Sequence, residues 1–231
     1  MTTVVLIPGL LSDDIVWQPV ADALSADFAI HKADLRQGTS IDGMARDLLG
    51  ATDGPLIAVG HSMGGRIAME MAHQAPERIA GLVLANTGHH PRREGEDAKR
   101  QAMIDLGHES MEKLADTWLP PMVDPARVSD ETVMGALRAM VLRADADMHE
   151  RQMRALLGRP NASAYLGEIR CPVLLIAASQ DGWSPIAQHE EIAAAVPDSE
   201  IAIIEDAGHF APVERPDEVV AAISTWIARF R

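Results

Sequence analysis

Pro55-Leu56-Ile57-Ala58-Val59-Gly60-His61-Ser62-Met63-Gly64-Gly65 changes character at its middle. Leu56 to Val59 is a short apolar run behind the breaker Gly54-Pro55, which predicts a buried strand of a parallel sheet. Gly60-His61-Ser62-Met63-Gly64 satisfies G-x-S-x-G, and Ile67, Ala68, Met71 and Ala72 then recur at helical spacing. The pentapeptide therefore stands where a strand turns into a helix, the setting a nucleophile elbow needs. A sharp, strained turn lifts one serine hydroxyl clear of the sheet, and flanking glycines let the chain pack that tightly. The helix N-terminus behind Ser62 favours negative charge developing there. A bare G-x-S-x-G is a weak signal in a chain with 17 glycines, and the strand and helix around it supply the specificity. The blander alternative, a glycine-rich turn that only makes a fold, would provide no base and no acid for Ser62.

On either side of the elbow, short apolar strands alternate with helices. Strands are expected at Thr3 to Ile7, Phe28 to Ala33, Ile79 to Ala85, Val173 to Ala178 and Glu200 to Ile204. Ser12 or Asp13 would cap a helix through Trp17, Asp42 one through Leu49, and a last helix runs from about Asp217 to Phe230. The expected fold class is α/β: a doubly wound, mostly parallel six-stranded sheet covered by helices on both faces. Sites in such sheets lie beyond the carboxyl ends of the strands.

Two residues meet that rule and complete a catalytic set. Asp181 follows the strand Val173 to Ala178, and His209 follows Ile201 to Ile204 in Ala207-Gly208-His209-Phe210. The order Ser62, Asp181, His209 is the one used when an imidazole takes the serine proton and a carboxylate fixes its tautomer. Asp206 is a rival acid, although it shares a loop with the base it would have to orient. His31, His89, His90 and His189 are rival bases without the strand and glycine context of His209. His89-His90 also suggests a metal pair, but no ligand set at helical spacing accompanies it, and the pair reads as solvent-facing. The oxyanion formed on attack needs main-chain donors: the amide of Met63 after the nucleophile, and the amide of Leu10 in Pro8-Gly9-Leu10 after the first strand.

Residues 87–170 are too long for a single crossover. They hold four segments of helical period: Arg93 to Leu106, one capped by Ser110, one begun by Ser129 and Asp130, and one begun by Asp147 with Glu150. The domain organisation expected is a core of residues 1–86 and 171–231 with a helical lid of residues 87–170 between strands four and five. Seven of the 12 methionines lie in the lid, which suggests an adaptable apolar underside. Trp118 and Met140 from the lid, with Trp183 and Phe210 from the core, are the expected substrate-binding side chains.

Composition excludes several classes. The 231 residues are 47% apolar and suit one domain with a full core, and a net charge of -14 argues against nucleic acid and anionic membrane surfaces as partners. The apolar runs are far too short to span a bilayer, and no signal peptide is expected at the start. The single cysteine, Cys171, permits no internal disulfide and fits a cytoplasmic location. A second copy of the chain, as a homodimer, is the macromolecular partner left open.

The chain resembles the lidded serine hydrolase branch of the α/β-hydrolase superfamily, which includes small carboxylesterases, enol-lactone hydrolases, perhydrolases and C-C hydrolases. The residues that carry the resemblance are Ile7-Pro8-Gly9-Leu10, Asp34-Leu35-Arg36, Gly60 to Gly65, Cys171-Pro172-Val173-Leu174, Asp181, and Ala207-Gly208-His209-Phe210 followed by Glu214 and Pro216. Pro8 stands where such chains usually carry His, and Gln37-Gly38 where they carry Gly-His-Gly. The resemblance implies a sheet lacking the family's first two strands, an acyl-enzyme on Ser62, and no metal or organic cofactor. The activity expected is that of a serine esterase on a small or medium, largely apolar ester or lactone. A C-C hydrolase, a cofactor-free perhydrolase, or a ligand receptor built on the same scaffold are the alternatives.

Overall fold

The structure, a computed structural model, describes residues 2–231. In chain order it runs β1 (Thr3–Ile7), α1 (Gln18–Leu24), β2 (Ala29–Lys32), α2 (Ile41–Ala51), β3 (Leu56–His61), α3 (Met63–Gln74) and β4 (Ile79–Ala85). Then come α4 (Glu96–Glu109), α5 (Met111–Trp118), α6 (Glu131–Leu142) and α7 (Ala146–Leu157). The chain closes with β5 (Val173–Ala178), α8 (Ile186–Ala195), β6 (Ser199–Ile204), α9 (Ala211–Glu214) and α10 (Pro216–Ile227). The strands form one six-stranded sheet in the order β2-β1-β3-β4-β5-β6, every pair parallel. Helices α2 and α3 pack together, as do α1 and α10.

Parallel pairing explains the apolar strands. β3 and β5 are buried along their whole length because helices cover both faces, whereas β6 lies at the sheet edge and leaves Ile201 and Ile203 exposed. The register then levels the carboxyl ends, with Ile7 opposite Gly60, His61 opposite Ala85 and Ala178 opposite Ile204. Every loop that carries a candidate residue leaves the sheet on that one side. Strain collects there too. Leu11, Ser62, Asn86 and Asp206 are non-glycine residues at φ near +50°, and each follows a strand.

Helix starts differ from the sequence reading, and Asp13 caps only the 3-10 turn Asp14–Val16, with α1 beginning after it at Gln18. Ser40, not Asp42, caps α2 by accepting from Gly43 N, so Asp42 sits inside the first turn. Asp145, not Asp147, caps α7 by accepting from Met148 N. In both cases an oxygen-bearing side chain stands a residue or two earlier in the chain, and the earlier one wins because its backbone is still extended. Ser110 and Asp130 cap α5 and α6 as expected.

The segment between β4 and β5 folds as the four helices α4 to α7, with α4 against α7 and α5, and α5 against α6. It is fastened to the loop that carries His209. His209 N donates to Met122 O at 2.6 Å. Glu214 Oε1 accepts from Gly208 N at 3.0 Å while its Oε2 accepts from Asp124 N at 2.8 Å. A Cβ on Gly208 would lie 2.4 Å from Val123 C, so only glycine lets the two main chains touch. Among the described residues, no helix is long and apolar enough to cross a membrane.

Candidate active site

Ser62 occupies the turn between β3 and α3 at φ 53° and ψ -112°, a region in which a side chain is strained. The turn closes because its neighbours lack side chains. A Cβ on Gly60 would fall 2.3 Å from Gly64 O, and one on Gly64 would fall 2.2 Å from Ile7 O. Ser62 N donates to Ala85 O, and Ser62 O accepts from Thr87 Oγ1 at 2.7 Å, so the strained residue is bonded at both ends.

The three residues read from the sequence converge. His209 Nδ1 lies 2.9 Å from Asp181 Oδ2, and His209 Nε2 lies 2.8 Å from Ser62 Oγ. An ionised carboxylate can only accept, so Nδ1 carries the hydrogen and Nε2 is left to receive the serine proton. Asp181 is fully engaged. Its Oδ1 accepts from the amides of Trp183 at 2.8 Å and Ser184 at 2.9 Å, and its Oδ2 also accepts from Asn86 Nδ2 at 3.0 Å. Burial alone would raise its pKa, but the facing imidazole and these donors hold it well below the usual carboxylate range. The rival acid Asp206 points away, its side chain 74% exposed and 3.4 Å from Arg215.

The amides of Leu10 and Met63 have no acceptor among the described residues, and both residues line the cavity over Ser62. The loop of Leu10 is pressed onto the elbow, where a Cβ on Gly9 would stand 3.3 Å from Ser62 Cβ. Met63 is the first residue of α3, so its N–H is one the helix cannot satisfy. The pair can receive an oxyanion.

Residues that sequence reasoning passed over hold this set in place. His61, the variable residue before Ser62, places Nε2 2.7 Å from His209 O, and its ring packs against Phe210 and His209. Burial, then the neighbouring His209, pushes its pKa down to about 3, so it is neutral and donates from Nε2. Asn86 donates to Asp181 and to Gly208 O. Neither could be found from spacing, because each acts through a partner far away in the chain.

The cavity above Ser62 measures about 430 Å³. Trp118, Trp183 and Phe210 line it as expected, with Trp183 54% exposed at its rim. Met140 does not. It is 1% exposed on α6, whose apolar face turns to the core, and Met63, Met103, Met122 and Met153 are the methionines that reach the cavity. The apolar lid underside expected from the methionines is joined by charged side chains. Arg66, Arg93, Lys99, Arg100 and Arg159, with Glu94 and Glu96, make one side of the cavity charged.

The histidine pair likewise differs from expectation. His89 is buried rather than solvent-facing, and Glu191 Oε2 lies 3.3 Å from His89 Nε2 and 3.0 Å from His90 Nε2. The ligand set that the local sequence lacked thus comes from α8, and these three residues could hold a cation.

The profile of the alpha/beta hydrolase family matches residues 4–222. N-formylmaleamate deformylase of Pseudomonas putida is 28% identical, over 96% of this chain and 87% of that protein. A putative carbamate hydrolase of Escherichia coli is 29% identical over 97% and 91%. Among solved structures, a thermophilic esterase from Thermogutta terrifontis with malate bound superposes with a TM-score of 0.89 at 25% identity, covering 99% of this chain and 90% of that one. A hydrolytic activity is what these relatives support. With the family profile spanning nearly its whole length and the sheet, elbow and cavity just described, the chain belongs to the alpha/beta hydrolase family.

Proposed function

We propose that the chain is a serine hydrolase that cleaves a carboxylic ester or lactone through an acyl-enzyme on Ser62. The observation that carries this reading is the continuous hydrogen-bonded line from Asp181 through His209 to Ser62 Oγ, with links of 2.9 and 2.8 Å. His209 Nε2 takes the serine proton as Oγ attacks the carbonyl carbon, and Asp181 steadies the imidazolium that forms. The amides of Leu10 and Met63 receive the oxyanion; one such donor supplies about 3 kcal/mol of transition-state stabilisation. His209 then returns its proton to the departing alcohol. A water, deprotonated by the same nitrogen, attacks the acyl-enzyme and frees the acid and Ser62. Helices α4 to α7 act as the lid, keeping bulk water from the cavity.

The test joins labelling to turnover. Ser62→Ala should lose fluorophosphonate labelling and all hydrolysis of a panel of esters, lactones, thioesters and amides, while its circular dichroism stays native. Labelling that survives in Ser62→Ala would remove Ser62 from its role. Labelling of the native protein without turnover on any member would favour the receptor alternative.

A further inference from the structure

The charge on the cavity wall runs against the rest of the molecule. The chain carries 34 acidic and 20 basic residues, yet the cavity over Ser62 draws on five of the basic ones and only two of the acidic ones. An acidic protein that gathers cations around its nucleophile has built a place for negative charge.

The hydrogen bonds single out one cation. Arg159 is fully occupied. It holds Glu96 with two nitrogens at 2.7 Å each and gives its remaining donors to the carbonyls of His90, Pro91 and Leu156. Arg100 Nε also donates to Glu96, at 2.7 Å. Glu96 is thereby neutralised by its own neighbours: despite its burial, bonds from Arg159, the Arg93 amide and Arg100 bring its pKa down to about 2. Arg66 is different. Of its five N–H donors, the protein uses one, from Nη1 to His90 O at 3.0 Å. It has no carboxylate partner among the described residues. Burial, with the charges of Arg159 and Arg100 beside it, pushes its pKa down to about 9, so it still carries its charge at neutral pH. Arg66 is half-buried, and a guanidinium that lines the cavity with donors to spare and no carboxylate beside it can pair with an anion there.

Arg66 also has the right address. It follows Ser62 by four residues on α3, one helical turn, or about 6 Å along the axis. It lines the same cavity as Ser62 and the Leu10 and Met63 residues. Its guanidinium lies at the loop after β4, where a Cβ on Gly88 would come 3.3 Å from Nη2. Arg66 is the partly buried guanidinium of the cavity without a carboxylate at hand, and the two oxygens of a carboxylate match its fork.

From this arrangement we infer that the substrate carries a free carboxylate that docks on Arg66, a few bonds from the carbonyl that Ser62 attacks. The inference rests on the proposed hydrolysis for the attack, but the anion site itself does not. Arg93, Glu94 and Lys99 are exposed around the cavity, two cations to one acid, and favour an incoming anion over a neutral ester.

Monomethyl esters of malonate, succinate, glutarate and adipate, each with its dimethyl ester, test the site by two readouts. In the Ser62→Ala protein, calorimetric titration should find at least one monomethyl ester binding at least tenfold tighter than its neutral dimethyl partner, less so as salt rises. Arg66→Met in that background should erase the preference, and Arg66→Lys should keep part of it. In the native protein the ratio of kcat/KM, monomethyl over dimethyl, should exceed about 10 and fall close to 1 on Arg66→Met. Equal binding of charged and neutral members at every chain length, or a preference that persists in Arg66→Met, overturns the anion site. Should Arg66→Met fail to fold, the native preference, its salt dependence and Arg66→Lys still decide. Carboxylate binding through Arg66 without turnover of any ester would sink the hydrolase reading alone. Turnover of neutral esters with no charged preference would sink the anion site alone.

Discussion

His61 Nε2 sits 2.7 Å from the carbonyl oxygen of His209, so the residue before Ser62 grips the main chain of the histidine that faces Ser62 Oγ. One ring thereby couples the end of β3 to the loop after β6, two strands that lie three places apart in the sheet. The relation is geometric rather than chemical: His61 touches neither reacting atom and acts by positioning.

Its loss should therefore affect rate more than affinity. His61→Phe keeps the ring contacts with Phe210 but leaves the His209 carbonyl without its donor. A drop of about 10- to 100-fold in kcat is expected, the size associated with a misplacement of about 1 Å, with KM little changed. His61→Gln, whose amide can donate from a similar place, should recover part of it. Steady-state kinetics of the two variants on one ester checks this, and a fall confined to KM would contradict it.

The two candidate acids separate cleanly. Asp181→Asn should lower kcat by about 10⁴-fold, because the amide cannot hold Nδ1–H and the wrong tautomer faces Ser62. Asp206→Asn, in a side chain that reaches only Arg215 and solvent, should change kcat less than twofold. A reversed outcome would assign the acid to Asp206.

The strain at Ser62 should appear as recoverable stability. Ser62→Ala keeps a Cβ at φ 53° and ψ -112°, whereas Ser62→Gly does not. The strain is worth about 1–3 kcal/mol, and glycine's greater unfolded freedom takes back about 0.5–1. Ser62→Gly should thus be more stable than Ser62→Ala, by up to about 2.5 kcal/mol in urea unfolding. Equal midpoints would mean that the elbow relaxes without its side chain.

Stability should fall in mild acid. His61 and His149 are buried. Burial first, then the nearby His209 for His61, and His108 and Arg100 for His149, push their pKa values down to about 3 and about 4. Unfolded, both titrate near 6.5. Between those values the unfolded chain binds more protons, so stability is complete above about pH 6.5 and is lost progressively as pH falls toward 4. His149 has no partner for either ring nitrogen among the described residues. His149→Leu should flatten part of this slope and gain about 1–3 kcal/mol at pH 5. Urea curves at pH 7.5 and 5 for both proteins measure it, and parallel losses in the two would refute it.

The parts legible in the sequence are those that local chemistry determines. Strand β3 announces itself by four apolar residues, the elbow by its glycines, and Asp181 and His209 by following strands of a parallel sheet, where register brings them to one edge. The missed parts depend on which way a surface faces after folding. α4 reads as simply a charged helix, and nothing in its period says that Glu96 and Arg100 turn inward to meet Arg159, 63 residues after Glu96. Met140 satisfies the pattern of a lid face, yet that face is spent on the core. Arg66 is the one arginine on α3, a helix that also carries Glu70, and only the cavity gives it a purpose.

The bond from His209 N to Met122 O has a bearing on engineering. Grafting the helical insertion of another chain onto this sheet is an obvious route to new selectivity, but residues 119–125 are bonded to the His209 loop and Glu214 and belong to the sheet's loops as much as to the graft. Splice points that cut them away would bring the foreign specificity in together with a misaligned imidazole. Chimeras joined so as to retain that short segment, and to exchange only the helices around it, are the ones in which a change of substrate can be told apart from simple damage.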